Sequence, residues 1–334
     1  MTDRSFVALA SVVNSRTSGV EHIGENAPCR ETICAVVITQ NPDSDLCVRL
    51  KKVSPQVAQI VVVDNGSAAP CMRQLRQLKD DGNIHLLLNL TNEGIARALN
   101  RGAQWATQHG GSWILTLDQD TVVSPDMVKA LAAVYNAFPE PDRLAVIGSN
   151  YTNLENGQLA ALSRYRGGPW GREAKAVITS GSLIPLRVFD EIGGFREDFF
   201  VDCVDVEYCL RARARGFCIA MTLQPVMQHS IGRLTEHHLF GRQFQTTNHS
   251  PHRRYLLARN TVILAREYMG TELKFVLETL CFRMNVLLRI CLFENQRIPK
   301  IAYSLLGVLD GIRGKMNRFA NLTPGPLSGH APIK

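Results

Sequence analysis

The chain has 334 residues, of which 45% are hydrophobic, a composition with enough apolar side chains for one large α/β domain with an appendage, or for two domains. The net charge of +7 is uneven: positions 251–334 hold 13 Lys/Arg against 5 Asp/Glu, whereas positions 1–250 sum to −1. No uninterrupted apolar run reaches about twenty residues, so no transmembrane helix is expected. The basic region is also rich in Leu, Ile, Val and Phe, which favours an anionic membrane surface over nucleic acid as its partner.

The first part of the chain is regular. Four short apolar runs alternate with segments of helical pattern, and such alternation predicts a parallel sheet covered by helices on both faces. The predicted strands are 33–38, 59–63, 84–88 and 113–117, and the predicted helices are 43–52, about 70–80 and 93–109. Ligands of open α/β sheets lie beyond the carboxyl ends of the strands, so we expect Thr39, Asp64 and Asp118 to converge there.

The later part is less regular. Predicted strands lie at 144–149, 174–179 and 217–223, and a helix is predicted over 204–215. We therefore predict three regions: an N-terminal extension over 1–30, a catalytic domain over 31–235, and a basic, mainly helical region over 236–334.

The most informative segment is the run at 113–120, in which an apolar strand ends in Leu-Asp-Gln-Asp. Side chains two residues apart in an extended chain point to the same side, so Asp118 and Asp120 would project together. Their mutual repulsion favours a shared cation, and oxygen ligands of this kind suit Mg²⁺ or Mn²⁺ with a phosphate completing the shell. A turn with two solvated acids is the alternative.

Two common phosphate-binding motifs are missing from the sequence. No Gly-X-Gly-X-X-Gly follows the first strand, and no Gly-X-X-X-X-Gly-Lys-Ser/Thr occurs anywhere. These absences disfavour a dinucleotide-dependent dehydrogenase and a P-loop NTPase.

Two polar segments could contact a nucleotide. Asp64 could accept the imide N–H of a uracil or thymine ring, although Asp-Asn-Gly-Ser is also an excellent turn sequence. Asn92 is predicted to be the N-cap of the following helix, and the small residues after it would leave room for a nucleotide or simply for helix packing.

Three further groups carry candidate chemistry. Asp202, Asp205 and Glu207 place three acids within six residues; one could be a general base, or they could favour a helix dipole. His229 follows a strand and could face a metal or a phosphate, although a lone His is more often structural. The basic cluster around Arg254 and Arg259 suits a diphosphate, or forms a solvated helix face.

At this point the chain resembles the family 2 glycosyltransferases, and among them bacterial rhamnosyltransferases. The resemblance extends from about Ile33 to Asn260. It is carried by an ordered series of motifs: Thr-Gln-Asn-Pro, Val-Asp-Asn-Gly-Ser, Asn-Glu-Gly-Ile-Ala, Leu-Asp-Gln-Asp, Phe-Phe-Val-Asp-X-Val-Asp-X-Glu, His-X-X-Gly and Arg-Tyr-X-X-X-Arg-Asn. One departure is Gln40, where the family usually has Tyr next to the nucleotide.

The resemblance implies a GT-A fold: an α/β, Rossmann-like and mostly parallel central sheet flanked by helices, followed by a C-terminal helical region. It also implies an inverting, Mg²⁺- or Mn²⁺-dependent transfer from a nucleotide sugar, with dTDP-β-L-rhamnose the expected donor. UDP-glucose or UDP-galactose is an alternative donor. A sugar-1-phosphate nucleotidyltransferase would need a Gly-rich basic loop after the first strand, which is missing, and a non-catalytic binder would not need the aspartates.

The resemblance also assigns roles to individual residues. The nucleotide ligands would be Thr39, Asn41, Asp64, Asn92 and Asp118. The metal ligands would be Asp118, Asp120 and His229. Asp205 matches the catalytic base, with Asp202 and Glu207 as supporting acids. Arg254 and Arg259 would bind the diphosphate.

The segment 271–293 is strongly apolar. Its polar residues Lys274, Glu278, Asn285 and Arg289 form one narrow stripe on a helix, and Arg283 lies off that stripe. The wide apolar face could pack on the catalytic domain, form a homodimer or rest on a membrane. With the basic surplus nearby, we expect a cytoplasmic protein attached to the inner face of the cytoplasmic membrane, where the lipid-linked glycan acceptors implied by the family would lie.

Overall fold

A computed structural model describes residues 26–78, 82–154, 157–159, 171–230, 235–239 and 241–316. Nearly all of the predicted N-terminal extension lies outside these residues. The proposed boundary between catalytic and C-terminal regions stays a prediction.

The first half of the chain forms the predicted parallel sheet. Its strands are β1 (Ile33–Thr39), β2 (Gln59–Asn65), β3 (Ile84–Asn89) and β4 (Trp113–Asp118). Its helices are α1 (Leu46–Val53), α2 (Ala69–Gln77) and α3 (Ile95–Gln108). The strands lie in the order β3-β2-β1-β4, all parallel, so their polar carboxyl ends meet at one edge of the sheet.

The second half continues the same sheet with mixed directions. The added strands are β5 (Val122–Val123), β6 (Leu144–Asn153), β7 (Arg172–Glu173), β8 (Ser182–Pro185) and β9 (Cys218–His229). The added helices are α4 (Met127–Ala137), α5 (Leu186–Ile192) and α6 (Val204–Ala214). The order runs on as β4-β8-β6-β9-β5, and β8 is antiparallel to both of its neighbours. The predicted fold class is confirmed, with antiparallel pairing concentrated in this half.

The strand predicted over 174–179 is wrong. This segment is irregular, although it reads as a β-branched run. Two of its carbonyl oxygens accept side-chain hydroxyls: Thr116 Oγ1 donates to Thr179 and Ser182 Oγ to Ile178. Side-chain hydroxyls can bond backbone carbonyls that would otherwise pair with a strand, so the strand propensity of this segment did not decide its structure.

The core lies on both faces of the sheet. All seven residues of β1 are buried, which accounts for its continuous apolar run. Helix α3 packs closely on the sheet because Gly102 faces Val36 where a Cβ would not fit. Buried side chains of α3, α5 and α6 cover one face, and those of α1, α2 and α4 cover the other.

The C-terminal region begins with a hairpin of β10 (Thr235–Leu239) and β11 (Arg242–Thr246). Three helices follow: α7 (Pro251–Tyr268), α8 (Leu273–Phe293) and α9 (Arg297–Arg313). Helix α9 lies close against α7, because Gly307 and Gly311 face backbone carbonyls of α7 where a Cβ would not fit. Helix α8 buries only Val276 and Ile290, so its apolar face is largely exposed. None of the described helices has the length and hydropathy needed to cross a bilayer.

Candidate active site

Two strand ends bring together the three residues predicted to hold a metal. Asp118 is the last residue of β4, and β5, which starts two residues after Asp120, pairs with the end of β9. This pairing places His229 beside both aspartates. Its Nε2 lies 3.7 Å from an Asp118 oxygen, and its Nδ1 lies 3.4 Å from an Asp120 oxygen. One ligand atom from each residue lies within 4.8 Å of the others, a donor set of two oxygens and one nitrogen that fits a divalent cation.

The electrostatics of this group favour a cation. Burial raises the pKa of Asp118, the charge of His229 opposes that rise, and the charge of Asp120 adds to it. Burial alone would lower the pKa of His229, but its hydrogen bond to Asp120 and the charges of both aspartates raise it above its ordinary value. Two carboxylates that compete for one imidazolium would be stabilised by a metal ion between them.

Hydroxyl groups fix the backbone around the cluster. Ser180 Oγ accepts the amide N–H of Asp118 at 3.1 Å and lies 2.6 Å from Thr121 Oγ1, which is 3.2 Å from His229 Nδ1. Neither Ser180 nor Thr121 was singled out from the sequence, since lone hydroxyl residues carry no spacing signal.

The predicted nucleotide residues meet at the ends of β1 and β2. Asp64 is buried and accepts hydrogen bonds from the Thr39 hydroxyl at 3.0 Å and the Ser67 amide at 2.9 Å. Asn41 joins the same turn, because its Oδ1 accepts the amide N–H of Ala68 at 2.7 Å. These are the contacts of a turn-forming aspartate, so its role toward a base stays a prediction.

Asn92 lies nearby but is not the helix cap that was predicted. The N-cap of α3 is Gly94, and Asn92 Oδ1 accepts the Gly94 amide at 3.0 Å and the Asn65 side-chain amide at 2.9 Å. Among the described residues, Asn92 Nδ2 is buried without a hydrogen-bond partner. A buried donor in this state is a group that a bound ligand or water would satisfy.

The other two aspartates lie in a segment that we call the acid loop, residues 199–205, whose last two residues begin α6. Helix α6 begins at Val204, as predicted, so Asp205 lies in its first turn and Asp202 precedes it. Phe200, Asp202 and Cys203 all have positive φ, at 64°, 58° and 64°. Such left-handed backbone is unfavourable outside glycine and persists only where the surroundings impose it.

Asn260 of α7 and the start of α3 impose that conformation. The buried Asn260 amide nitrogen lies 2.9 Å from the carbonyl oxygens of Phe199, Val201 and Asp202. The Ile95 amide donates to the Phe200 carbonyl at 2.7 Å, and a Cβ on Gly94 would come within 2.6 Å of that oxygen. The sequence motif contained Asn260, but we assigned it no role because its partners are backbone atoms far along the chain.

The two aspartates of the acid loop have different surroundings. Arg253 clamps Asp202 with two hydrogen bonds, at 3.0 and 2.9 Å. Burial would raise the pKa of Asp202, but the charge and hydrogen bonds of Arg253 lower it overall. Burial, with a contribution from the charge of Asp202, raises the pKa of Asp205 to about 6. Asp202 is therefore held as an anion, while Asp205 can gain and lose a proton near neutral pH.

The remaining predicted residues make other contacts. Glu207 pairs with Arg211 at 2.9 Å and accepts the Tyr268 hydroxyl at 3.2 Å, inside the packing between α6 and α7. Arg254 is buried and pairs with Glu294 at 2.7 Å. Arg259 is buried and donates to the Asp198 carbonyl at 2.9 Å. These contacts do not favour a supporting role for Glu207 or a diphosphate role for the two arginines, which stay predictions.

Comparison with known proteins identifies the fold and the chemistry. Residues 34–196, which include both metal-side aspartates, match the family described as Glycosyl transferase family 2. This part of the chain is a family 2 glycosyltransferase domain. The protein is accordingly a glycosyltransferase, and the resemblance drawn from the motifs is confirmed.

Curated relatives extend the likeness beyond the domain. The chain is 28% identical over 294 residues to the dTDP-rhamnosyl transferase RfbF of Shigella flexneri. The aligned region covers 84% of this chain and 96% of the relative. It is 21% identical over 319 residues to the low-salt glycan biosynthesis hexosyltransferase Agl10 of Haloferax volcanii, covering 86% and 93%.

A solved structure supports the fold. The crystal structure of GalNAc-T7 with UDP, GalNAc and Mn²⁺ superposes with a TM-score of 0.57 at 14% identity, covering 91% of this chain and 60% of that chain. The GT-A architecture is thereby shown.

Proposed function

We propose that this glycosyltransferase moves L-rhamnose from dTDP-β-L-rhamnose, with inversion, to a lipid-linked or surface polysaccharide acceptor. One observation carries the proposal: Arg253 acts both on the acidic group that fits a cation and on Asp202 in the acid loop, the segment that also holds Asp205. That guanidinium binds Asp202, and its charge also acts on the pKa of Asp118. The donor sugar is inferred from RfbF, whose name states a dTDP-rhamnosyl activity.

The donor diphosphate would lie at the end of β4. Asp118, Asp120 and His229 would hold Mg²⁺ or Mn²⁺, which when bound neutralises charge on the departing nucleoside diphosphate. Arg253 would donate to the same diphosphate from the other side while keeping its bonds to Asp202. Fixed positive groups of this kind stabilise the charge that develops as the sugar leaves.

Asp205 would act as the general base. Its pKa of about 6 leaves it ionised at neutral pH yet basic enough to accept a proton. It would take the proton of an acceptor hydroxyl as that oxygen bonds to the anomeric carbon, while the bond from that carbon to the diphosphate oxygen breaks. One displacement from the opposite face inverts the anomeric centre. The hydrogen bond from the Val206 amide to Asp205, at 2.8 Å, fixes the carboxylate for this step.

Recognition of the base would fall to the ends of β1 and β2. Thr39, Asn41 and Asp64 form one hydrogen-bonded turn there, and Asn92 offers an unpaired buried donor close by. Gln40 stands where the family usually has Tyr, and its amide donates to Gln119 Oε1 at 2.7 Å. This bond ties the end of β1 to the loop between the two metal-side aspartates.

The test is a panel of dTDP-rhamnose, dTDP-glucose, UDP-glucose and UDP-galactose, each with Mn²⁺ or Mg²⁺. Ligands that bind only the folded state raise its melting temperature, so dTDP-rhamnose with metal should give the largest shift. Preference for a UDP-hexose would contradict the rhamnosyl assignment and favour the hexosyl activity named in the Haloferax relative. Direct displacement at a β-linked donor gives an α-linked product, so a β-linked product, identified by NMR, would contradict inversion.

We also propose that α8 rests on the inner face of the cytoplasmic membrane. Phe282, Met284 and Leu288 are 57%, 60% and 61% exposed, an unusual density of large apolar side chains for a free surface. The surplus of basic residues in this region would attract anionic lipid. The alternative is a homodimer formed through the same face of α8. Measuring the molecular mass of the protein in solution distinguishes a dimer from a monomer whose face is free to bind a membrane.

A further inference from the structure

Arg259 of α7 is a buried cation that the proposed mechanism does not use. The residue is only 2% exposed. Its hydrogen bonds go to uncharged oxygen atoms: the side chain of Asn260 and the backbone carbonyls of Asp198, Phe199 and Met316. A buried guanidinium is costly unless its donors are well paired, so the groups that it binds hold it in place and are held by it.

Arg259 determines the orientation of the Asn260 amide. Its Nε and Nη2 lie 3.0 and 2.8 Å from Asn260 Oδ1, so both donate to the same oxygen atom. An amide nitrogen cannot accept these bonds, and a reversed amide would set N–H groups against N–H groups and oxygen against carbonyl oxygen. The amide nitrogen of Asn260 therefore faces away from Arg259, toward the acid loop.

The acid loop depends on that nitrogen. Asn260 Nδ2 lies 2.9 Å from each of three loop carbonyl oxygens, those of Phe199, Val201 and Asp202. A cation bonded to the amide oxygen polarises the amide, so its N–H groups become stronger donors to those carbonyls. Arg259 also donates to the Asp198 carbonyl at 2.9 Å, directly before the loop. It thus acts on the start of the loop directly and on its left-handed part through Asn260.

The end of α9 encloses the same guanidinium. Arg259 Nη1 donates to the carbonyl of Met316, in the segment that follows α9. Gly311 of α9 packs so near the backbone carbonyl of Arg259 that a Cβ would come within 2.8 Å of it. This packing keeps Arg259 out of solvent, so its donors are directed to the loop and to Asn260.

We propose that Arg259 is a positioning residue for the transfer step: it orients the Asn260 amide, which in turn holds the acid loop so that Asp205 meets the acceptor hydroxyl. This inference rests on the proposed function, in which Asp205 is the base. It is an alternative to the diphosphate role predicted for Arg259, because the guanidinium acts through protein groups and not on the donor. The rate of transfer should then depend on Arg259, whereas the affinity for the donor should not.

A double-mutant cycle on the full chain tests the proposal. Arg259→Met, which removes every donor, and Asn260→Ala are made singly and together, and kcat and the KM for the donor are measured with Mn²⁺. Arg259→Met should lower kcat by about tenfold or more, because the base moves from its position, and change this KM by less than about twofold. The double variant should be no slower than Asn260→Ala, since residues that act through one contact are not additive. Arg259→Lys keeps the charge and one donor, so it should recover part of the loss.

Arg266→Met is the matched control. Arg266 also lies on α7 and donates to α9, at the carbonyls of Gly311 and Ile312, both at 2.9 Å, and neither bond involves Asn260. This variant should keep kcat within about twofold of the wild type, because the acid loop retains its donors. It separates the orientation of Asn260 from the general packing of α9 on α7.

Hydrogen exchange of the loop gives a readout that needs no turnover. The Ile95 amide donates to the Phe200 carbonyl at 2.7 Å, so its exchange rate reports on the acid loop. Exchange at Ile95 should be faster in Arg259→Met and in Asn260→Ala, and unchanged in Arg266→Met.

The outcomes are distinguishable. A wild-type kcat, or wild-type exchange at Ile95, in Arg259→Met would overturn the proposal. A double variant slower than Asn260→Ala by the full factor of Arg259→Met would mean that Arg259 acts independently of Asn260. Loss of dTDP affinity with unchanged exchange would assign Arg259 to the diphosphate instead. If Arg259→Met does not fold, Arg259→Lys decides by the same measurements. Failure to turn over any nucleotide sugar would count against the proposed function, and the exchange rates would still decide the role of Arg259.

Discussion

The side-chain amide nitrogen of Asn260 lies 2.9 Å from the backbone carbonyl oxygen of Asp202, although 58 positions separate the two residues. The same nitrogen is equally close to two other carbonyls of the acid loop. Helix α7 thus determines the conformation of a loop in which Phe200, Asp202 and Cys203 all have left-handed backbone. The strain is concentrated at the segment that carries the proposed base, as is common at functional sites.

Replacing Asn260 by Ala should therefore damage both stability and catalysis. The loss leaves buried carbonyls without a donor, at a cost of about 1–3 kcal/mol in the free energy of unfolding. The loop should relax, and the rate of transfer should fall by about a hundredfold because the base moves from its position. Urea unfolding and a transfer assay measure the two effects. Asn285→Ala, on the exposed stripe of α8, is the control and should change neither. A normal rate in Asn260→Ala would mean that the loop does not need this support.

Asp205→Asn separates catalysis from binding. The variant should keep its affinity for donor and lose transfer, since the amide cannot accept the proton. In the wild type, the rate should rise with pH through about 6 as Asp205 ionises. A variant that transfers sugar at the wild-type rate would refute the assignment of the base.

Asp205→Asn should also change how the free energy of unfolding depends on pH. The pKa of Asp205 in the folded protein, about 6, lies above its ordinary value of 3.8, so the native state holds the proton more tightly than the unfolded chain. The free energy of unfolding therefore falls as the pH rises through this interval and is level above it. Asp205→Asn removes that loss, so the variant should be more stable than the wild type at pH 8. At pH 4 the difference in stability between variant and wild type should be much smaller. An equal difference at both pH values would contradict the raised pKa.

Sequence patterns predicted the sheet edge well because they depend on local periodicity. The ends of β1, β2 and β4 were placed from apolar runs, and the acidic pair followed from side-chain alternation. Asn260 and Ser180 could not be placed, because their roles depend on contacts with distant backbone. Helix α6 begins at Val204 as predicted, but the left-handed backbone just before it was not predicted. Outside glycine, this conformation is tolerated mainly by Asn and Asp, so no local propensity signals it at Phe200 or Cys203.

Arg253 and Arg254 are adjacent but should behave differently. Arg253→Gln should weaken nucleoside diphosphate binding by about tenfold or more, because it removes a charge beside Asp202 and Asp118. Arg254→Gln should instead lower stability by about 3–5 kcal/mol, because it breaks a buried ion pair with Glu294. Calorimetry and denaturant unfolding on both variants decide between them. If Arg254→Gln alone lost donor affinity while staying fully stable, the original diphosphate prediction for Arg254 would hold.

The apolar face of α8 should determine membrane attachment. The double variant Leu288→Gln, Leu292→Gln replaces two side chains that are both more than half exposed, so it should leave the fold intact. It should reduce binding to vesicles containing phosphatidylglycerol, since each buried leucine contributes about 1.5–3 kcal/mol. Flotation of the vesicles measures the loss, and Leu90→Gln, at an exposed site between β3 and α3, is the control. Unchanged flotation of the double variant would rule out this face as the attachment surface.

The central claim is that Asp118, Asp120 and His229 hold a divalent cation with the donor diphosphate. Titration of dTDP into the protein with Mn²⁺ or with EDTA tests it most directly, using wild type and Asp120→Ala. We expect binding of dTDP by the wild type to depend on Mn²⁺, and Asp120→Ala to bind dTDP weakly and equally with or without the metal. Tight dTDP binding by the wild type in EDTA, unaffected by Asp120→Ala, would contradict the account.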